Sequence, residues 1–152
     1  MTDPSSPAIE LAIDRIWETL PPLWQRLRAA IRAYATENFN LSVEQFHTLR
    51  LVRRGLGSVS ELAAEKRISR PAISQAVEAL VQRGLLSRTT SLEDRRYIRL
   101  ELTPEGQALM DAVYQHARAW IGAHLQASSS EDLGAVIQGL ETLQRLFDEP
   151  AA

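Results

Sequence analysis

Between Ser58 and Leu102 the spacing of apolar residues changes from helical to alternating within one short stretch, and few folds hold elements in that order. The helical part is plainest in Ser69 to Gly84, SRPAISQAVEALVQRG, where Ile73, Val77, Leu80 and Val81 recur at helical spacing while Arg70, Ser74, Gln75 and Glu78 fall elsewhere. Ser69 brings the side-chain oxygen of an N-cap, Pro71 suits a first turn, and Gly84 can take the left-handed conformation that ends a helix. Ahead of it, Ser58 with Glu61 three residues on has the form of a capping box and opens a short helix with Leu62 and Ala63 inward. A tight connection through Arg67 and Ile68 makes the pair a helix-turn-helix. Behind it come LLSRTTS, a charged tip LEDRR, and YIRLELT, in which Ile98, Leu100 and Leu102 alternate with Arg99 and Glu101. That is a two-stranded hairpin, and the whole is mainly α with a small β hairpin: a winged helix-turn-helix.

The flanking segments read as amphipathic helices. Ile9, Ile13, Ile16, Trp17 and Leu20 predict a helix over 8–20, which Pro21 and Pro22 break or kink; Leu23, Trp24, Leu27, Ile31 and Tyr34 carry the next one. Asn38 to Ser42 reads as a loop, with Ser42 capping a helix to about Arg54. Beyond the hairpin, Thr103 and Pro104 open a long helix through Leu109, Val113, Ala117, Trp120, Ile121 and Leu125. Ser128 to Ser130 breaks it, and Leu133, Val136, Ile137, Leu140, Leu143 and Phe147 stripe a last helix before Pro150. The expectation is a single domain over 1–152, with the winged helix-turn-helix at 42–102. The helical regions 8–35 and 103–149 carry more apolar surface than lone helices use; they can cover the back of the same domain or pair across a two-fold axis, and the second is favoured because a symmetric dimer presents two reading helices to a two-fold site.

Composition narrows the function classes. There is no cysteine among the 152 residues and no apolar run of membrane-spanning length, so a soluble, cytoplasmic chain without membrane contact is expected. The net charge of −2 hides a basic middle: residues 50–99 hold 11 Arg or Lys against 5 Asp or Glu. Clustered positive charge on an otherwise acidic chain suits a polyanion partner such as double-stranded DNA, although a solvated charged surface explains the composition equally well. No Gly-rich phosphate loop or nucleophile elbow is present, and His47, His116 and His124 lack the spacing of metal ligands, so no enzyme activity, cofactor or metal is expected.

In element order and motifs the chain resembles the MarR family of bacterial transcriptional regulators across nearly its whole length. The resemblance rests on LAAEKRISRPAISQAVEALVQRGLLSR and on EDRRYIRLELTPEG, where Asp94 and Arg96 match the family's Asp-x-Arg wing and Leu102 to Gly106 its strand-to-helix junction. Relatives often have a glycine in the turn before the reading helix, where this chain has Lys66 and Arg67. The resemblance implies a homodimer with intertwined terminal helices, binding to a pseudo-palindromic operator, and relief of repression by a small effector.

Roles follow for single residues. Arg70, Ser74 and Gln75, in the first turns of the reading helix, are positioned to meet base edges, while Ser69 and Pro71 set the helix and touch backbone. Arg95 and Arg96 at the wing tip suit a narrow minor groove, with Asp94 holding an arginine in pose. Arg53, Arg54, Ser58 and Ser60 are candidate phosphate contacts, although ordinary capping explains the serines equally well. Trp24, His47 and Trp120 are candidates to line a crevice for a small aromatic effector; aromatic residues at helical spacing are more often packing groups. The alternative function is a winged-helix protein-protein adaptor without sequence-specific DNA binding, against which the basic middle argues.

Overall fold

The serines and threonine read as helix starts do stand at helix starts in the computed structural model, which describes residues 6–90 and 98–148. In chain order the elements are α1 (Pro7–Phe39), α2 (Val43–Arg53), α3 (Val59–Lys66), α4 (Arg70–Gln82), β1 (Leu86–Thr90), β2 (Ile98–Leu102), α5 (Pro104–Leu125) and α6 (Ser130–Asp148). They fall into two units, Met1–Ala117 and Arg118–Ala152, with α5 beginning in the first and ending in the second.

Capping boxes form at α2, between Ser42 and Gln45, and at α3, between Ser58 and Glu61. At α4 the expectation needs correcting: Ser69 is the N-cap residue, but its side chain makes no capping hydrogen bond. The prolines of the N-terminal region also behave otherwise than expected, because α1 runs unbroken through Pro21 and Pro22. A proline's fixed φ is already helical, so the main loss is two N–H donors. The bonds lost would have gone to the carbonyls of Trp17 and Glu18, four residues back on an exposed stretch of the helix.

The core of the first unit sits between α2, α3, α4, the hairpin and the start of α5. Leu49, Leu62, Ile73, Val77, Leu80 and Met110 are wholly removed from solvent, and each such side chain contributes roughly 1.5–3 kcal/mol. β1 and β2 pair antiparallel, Leu86 opposite Leu102 and Thr90 opposite Ile98. Leu86 and Leu100 point into the core, whereas Ile98, farther out on the ribbon, is exposed. The Leu100 N–H donates to the Gly57 carbonyl at 2.7 Å, tying the hairpin to the turn before α3.

The strand-to-helix junction has a physical reason for each of its residues. Thr103 accepts from the Gly106 N–H at 3.0 Å, capping α5, and donates its hydroxyl to the Gly84 carbonyl at 2.5 Å. A Cβ at Gly106 would lie 2.1 Å from the Leu85 carbonyl oxygen, so only glycine lets α5 approach the end of the α4–β1 turn. In the second unit, Ser129 and Asp132 cap α6 reciprocally, the Ser129 hydroxyl donating to the Asp132 carboxylate at 2.7 Å and the Asp132 N–H to Ser129 Oγ at 3.1 Å. No residue of α6 is buried, and Val136, Ile137, Leu140 and Phe147 stand exposed. No helix among the described residues is long and apolar enough to cross a membrane.

Candidate nucleic-acid interface

The two faces of α4 are cleanly separated. Ile73, Val77 and Leu80 are fully buried against the core, and Ser69, Arg70, Pro71, Ser74 and Gln75 are all exposed. Helical periodicity produces that division, since residues three and four apart share a face. Arg70 and Pro71 occupy the first two helical positions, so the polar groups cluster at the N-terminal end, where backbone N–H groups lack helical acceptors.

The orientation of α4 is fixed at its other end and along its flank. The Arg83 guanidinium, at the C-cap, donates to the carbonyls of Phe39 at 2.6 Å and Asn40 at 3.1 Å, closing the C-terminus of α1. Arg88 of β1 pairs with Glu78 of α4 at 2.9 Å and joins the ribbon to the reading helix. Neither contact is visible in the sequence, because the partners lie far apart along the chain; a basic residue beside Gly84 was the only hint of the first. The wing residues Asp94, Arg95 and Arg96 lie outside the described residues.

The other candidate phosphate contacts have varied surroundings. Ser58 is engaged in its capping box, its hydroxyl donating to Glu61 at 3.0 Å and accepting from the Glu61 N–H at 3.2 Å; Ser60 is exposed. Arg53 has partners inside the protein, with Asp111 of α5 at 2.8 Å and the Tyr114 ring 4.6 Å from its guanidinium carbon. Arg54 is exposed, with Glu65 at 4.0 Å. Lys66 pairs with Glu44 of α2, and Arg67 closes α3 in the left-handed conformation.

A cavity of about 120 Å³ lies between α1, α2 and α5 in the first unit. Trp24, Ile31, Phe46 and Tyr114 supply its apolar wall, and Arg28, Arg32, Arg50 and His47 its polar one. No carboxylate lines it, and Arg50 Nε is buried with no partner among the described residues. Burial first, then the charges of Arg50, Lys66 and Arg28, hold the His47 imidazole below its ordinary value, with Glu44 pulling the other way. Trp24 and His47 thus meet as the sequence suggested. Trp120 belongs to the second unit, its ring 4.1 Å from that of His124. Among the described residues no group of three or more His, Asp or Glu is placed to hold a metal ion.

Residues 39–96 match the model of the MarR family. The chain is 25% identical over 115 residues to the HTH-type transcriptional repressor MdtR of Bacillus subtilis, covering 76% of this chain and 74% of that one. Among solved structures it is similar to a transcriptional regulator of Thermotoga maritima, at 19% identity and a TM-score of 0.78, over 92% of this chain and 99% of the other. It is also similar to a mutant of S. aureus MepR bound to an oligodeoxyribonucleotide, at 18% identity and a TM-score of 0.63, over 83% and 93% of the two chains.

Proposed function

The chain carries a winged helix-turn-helix of the MarR family, and from that premise we propose that it is a dimeric, ligand-responsive repressor that binds a pseudo-palindromic operator. The observation that carries the DNA-binding part is the division of α4, with Arg70, Ser74 and Gln75 exposed at its N-terminal end and the opposite face fully buried. In helix-turn-helix complexes that end of the second helix meets base edges. Arg70 pairs with guanine and Gln75 with adenine; Ser69 and Pro71 meet backbone, and Arg95 and Arg96 of the wing take the minor groove.

Dimerisation is supported by apolar surface that a lone chain leaves in water. Leu11, Ile13, Trp17 and Leu23 of α1 are exposed, as are Val136, Ile137, Leu140 and Phe147 of α6. A two-fold pair presents its reading helices ~34 Å apart, one turn of DNA. The effector site is the cavity beside His47. Its size compares with an engineered cavity of ~150 Å³ that takes one benzene ring, and its arginines without a lining carboxylate favour a small aromatic anion.

Fluorescence anisotropy with the DNA flanking the protein's own gene and with a random duplex, each at two salt concentrations, tests this reading. Arg70→Ala should lower affinity for the specific duplex by about 5- to 150-fold and for random DNA far less. Equal losses on both would remove Arg70 from base reading. Weak binding by the unmodified protein, indifferent to sequence, would favour the adaptor.

A further inference from the structure

Among the described residues four have a positive φ, each at a turn or helix end: Asn40 at 47°, Gly55 at 101°, Arg67 at 52° and Gly84 at 69°. Three of them are glycine or asparagine, the residues that enter this region most readily. Arg67 has no such excuse, since its Cβ crowds the backbone there. It closes α3 in a geometry that glycine usually supplies, with the Arg67 and Ile68 N–H groups donating to the Ala64 and Ala63 carbonyls, both at 3.2 Å.

No side-chain contact among the described residues accounts for the exception. The neighbouring Lys66 turns inward to Glu44, leaving its side chain 11% exposed. The Arg67 side chain, in contrast, is exposed and has no hydrogen-bond or ion-pair partner among the described residues. It sits three residues before Arg70, at the entrance to a helix whose N-cap side chain makes no capping bond. The fold uses the left-handed turn to cap α3, but it gains nothing from an arginine there in place of glycine, and strained residues of that kind cluster at functional sites.

We propose that Arg67 is a further contact to the DNA backbone, a cation that the strained turn holds at the entrance of the reading helix. This rests on the DNA-binding reading above. A phosphate contact is blind to sequence, so Arg67 adds affinity rather than specificity.

The test compares the full-length protein with Arg67→Gly and Arg67→Lys, using the same two duplexes over a range of salt. Arg67→Gly relieves the strain and should raise the melting temperature by a few degrees. It should also weaken binding to both duplexes about equally, and the slope of log affinity against log salt should become shallower by about 0.9 for each bound copy. Arg67→Lys, which keeps the charge, should restore most of the slope. If the unmodified protein binds and Arg67→Gly leaves its slope unchanged, Arg67 is only a solvated arginine and the inference falls alone. If the unmodified protein binds neither duplex, the DNA-binding reading falls and takes this one with it.

Discussion

α3 and α4 both begin at a serine in extended conformation, yet only one of those serines works for the fold. Ser58 closes a capping box with Glu61, whereas the Ser69 side chain makes no capping bond at the start of α4. The same contrast runs through the winged helix. At its back, Thr103, Gly106 and Arg83 satisfy carbonyls or allow backbones to touch. At its front, Ser69, Arg70, Ser74 and Gln75 are exposed. If the front of α4 meets DNA as proposed, substitutions should separate into ones at the back that cost stability and ones at the front that cost binding.

The sharpest break of that division is at the back. Gly106→Ala places a methyl 2.1 Å from a backbone oxygen, which no side-chain rotation relieves. Overpacking of this kind should cost about 3 kcal/mol or more, read as a large fall in thermal midpoint. A melting temperature close to that of the unmodified protein would mean that the junction is looser than its geometry says.

The paired serines sharpen the comparison more finely. Ser58→Ala should lose about 1 kcal/mol through the broken capping box, while Ser69→Ala should stay within about 0.5 kcal/mol, as a surface substitution does. Denaturant titrations of the two variants make the measurement. Equal losses would show that Ser69 caps α4 in solution and would erase the difference between the two helix starts.

What the sequence made legible follows the range of the interaction. The capping box at Ser58 and the cap at Ser42 were readable because donor and acceptor lie three residues apart, as were the buried stripe of α4 and the pairing of the hairpin; the reciprocal bond of Gln45 at Ser42 was not read. Arg83 was not, since its acceptor on Phe39 is 44 residues away, and neither was the ion pair of Arg53 with Asp111. Pro21 and Pro22 misled because proline's effect depends on whether water reaches the freed carbonyls, which is a property of the surface. The turn at Lys66 and Arg67 was marked by the glycine that relatives often have there, but which of the two residues takes the left-handed conformation was not, because neither side chain prefers it. The exposed end of α4 follows from its helical spacing; of the residues lining the cavity beside His47 the sequence singled out only Trp24 and His47, because Arg28, Arg32 and Arg50 carry no local pattern that marks them as neighbours.

The cavity is a third kind of place, a half-open pocket where Arg50 Nε is buried without a partner among the described residues, and it should give the smallest effect. The folded chain disfavours protonated His47 through burial and through Arg50, Lys66 and Arg28, so the unfolded chain takes up the proton first as pH falls. Stability from this residue is therefore complete above the ordinary histidine value of 6.5 and is lost progressively below it, toward the lower folded value. His47→Gln should flatten the dependence, so that denaturant titrations of the two proteins differ more at low pH than at neutral pH. An aromatic anion such as benzoate should act the other way, because a negative charge beside His47 favours its protonated form. It should bind more tightly as pH falls through this window, provided the anion itself stays ionised, and the gain should vanish in His47→Gln. Parallel pH profiles for the two proteins, with and without the anion, would show that neither burial nor the neighbouring cations shift His47 and would remove it from the cavity's chemistry.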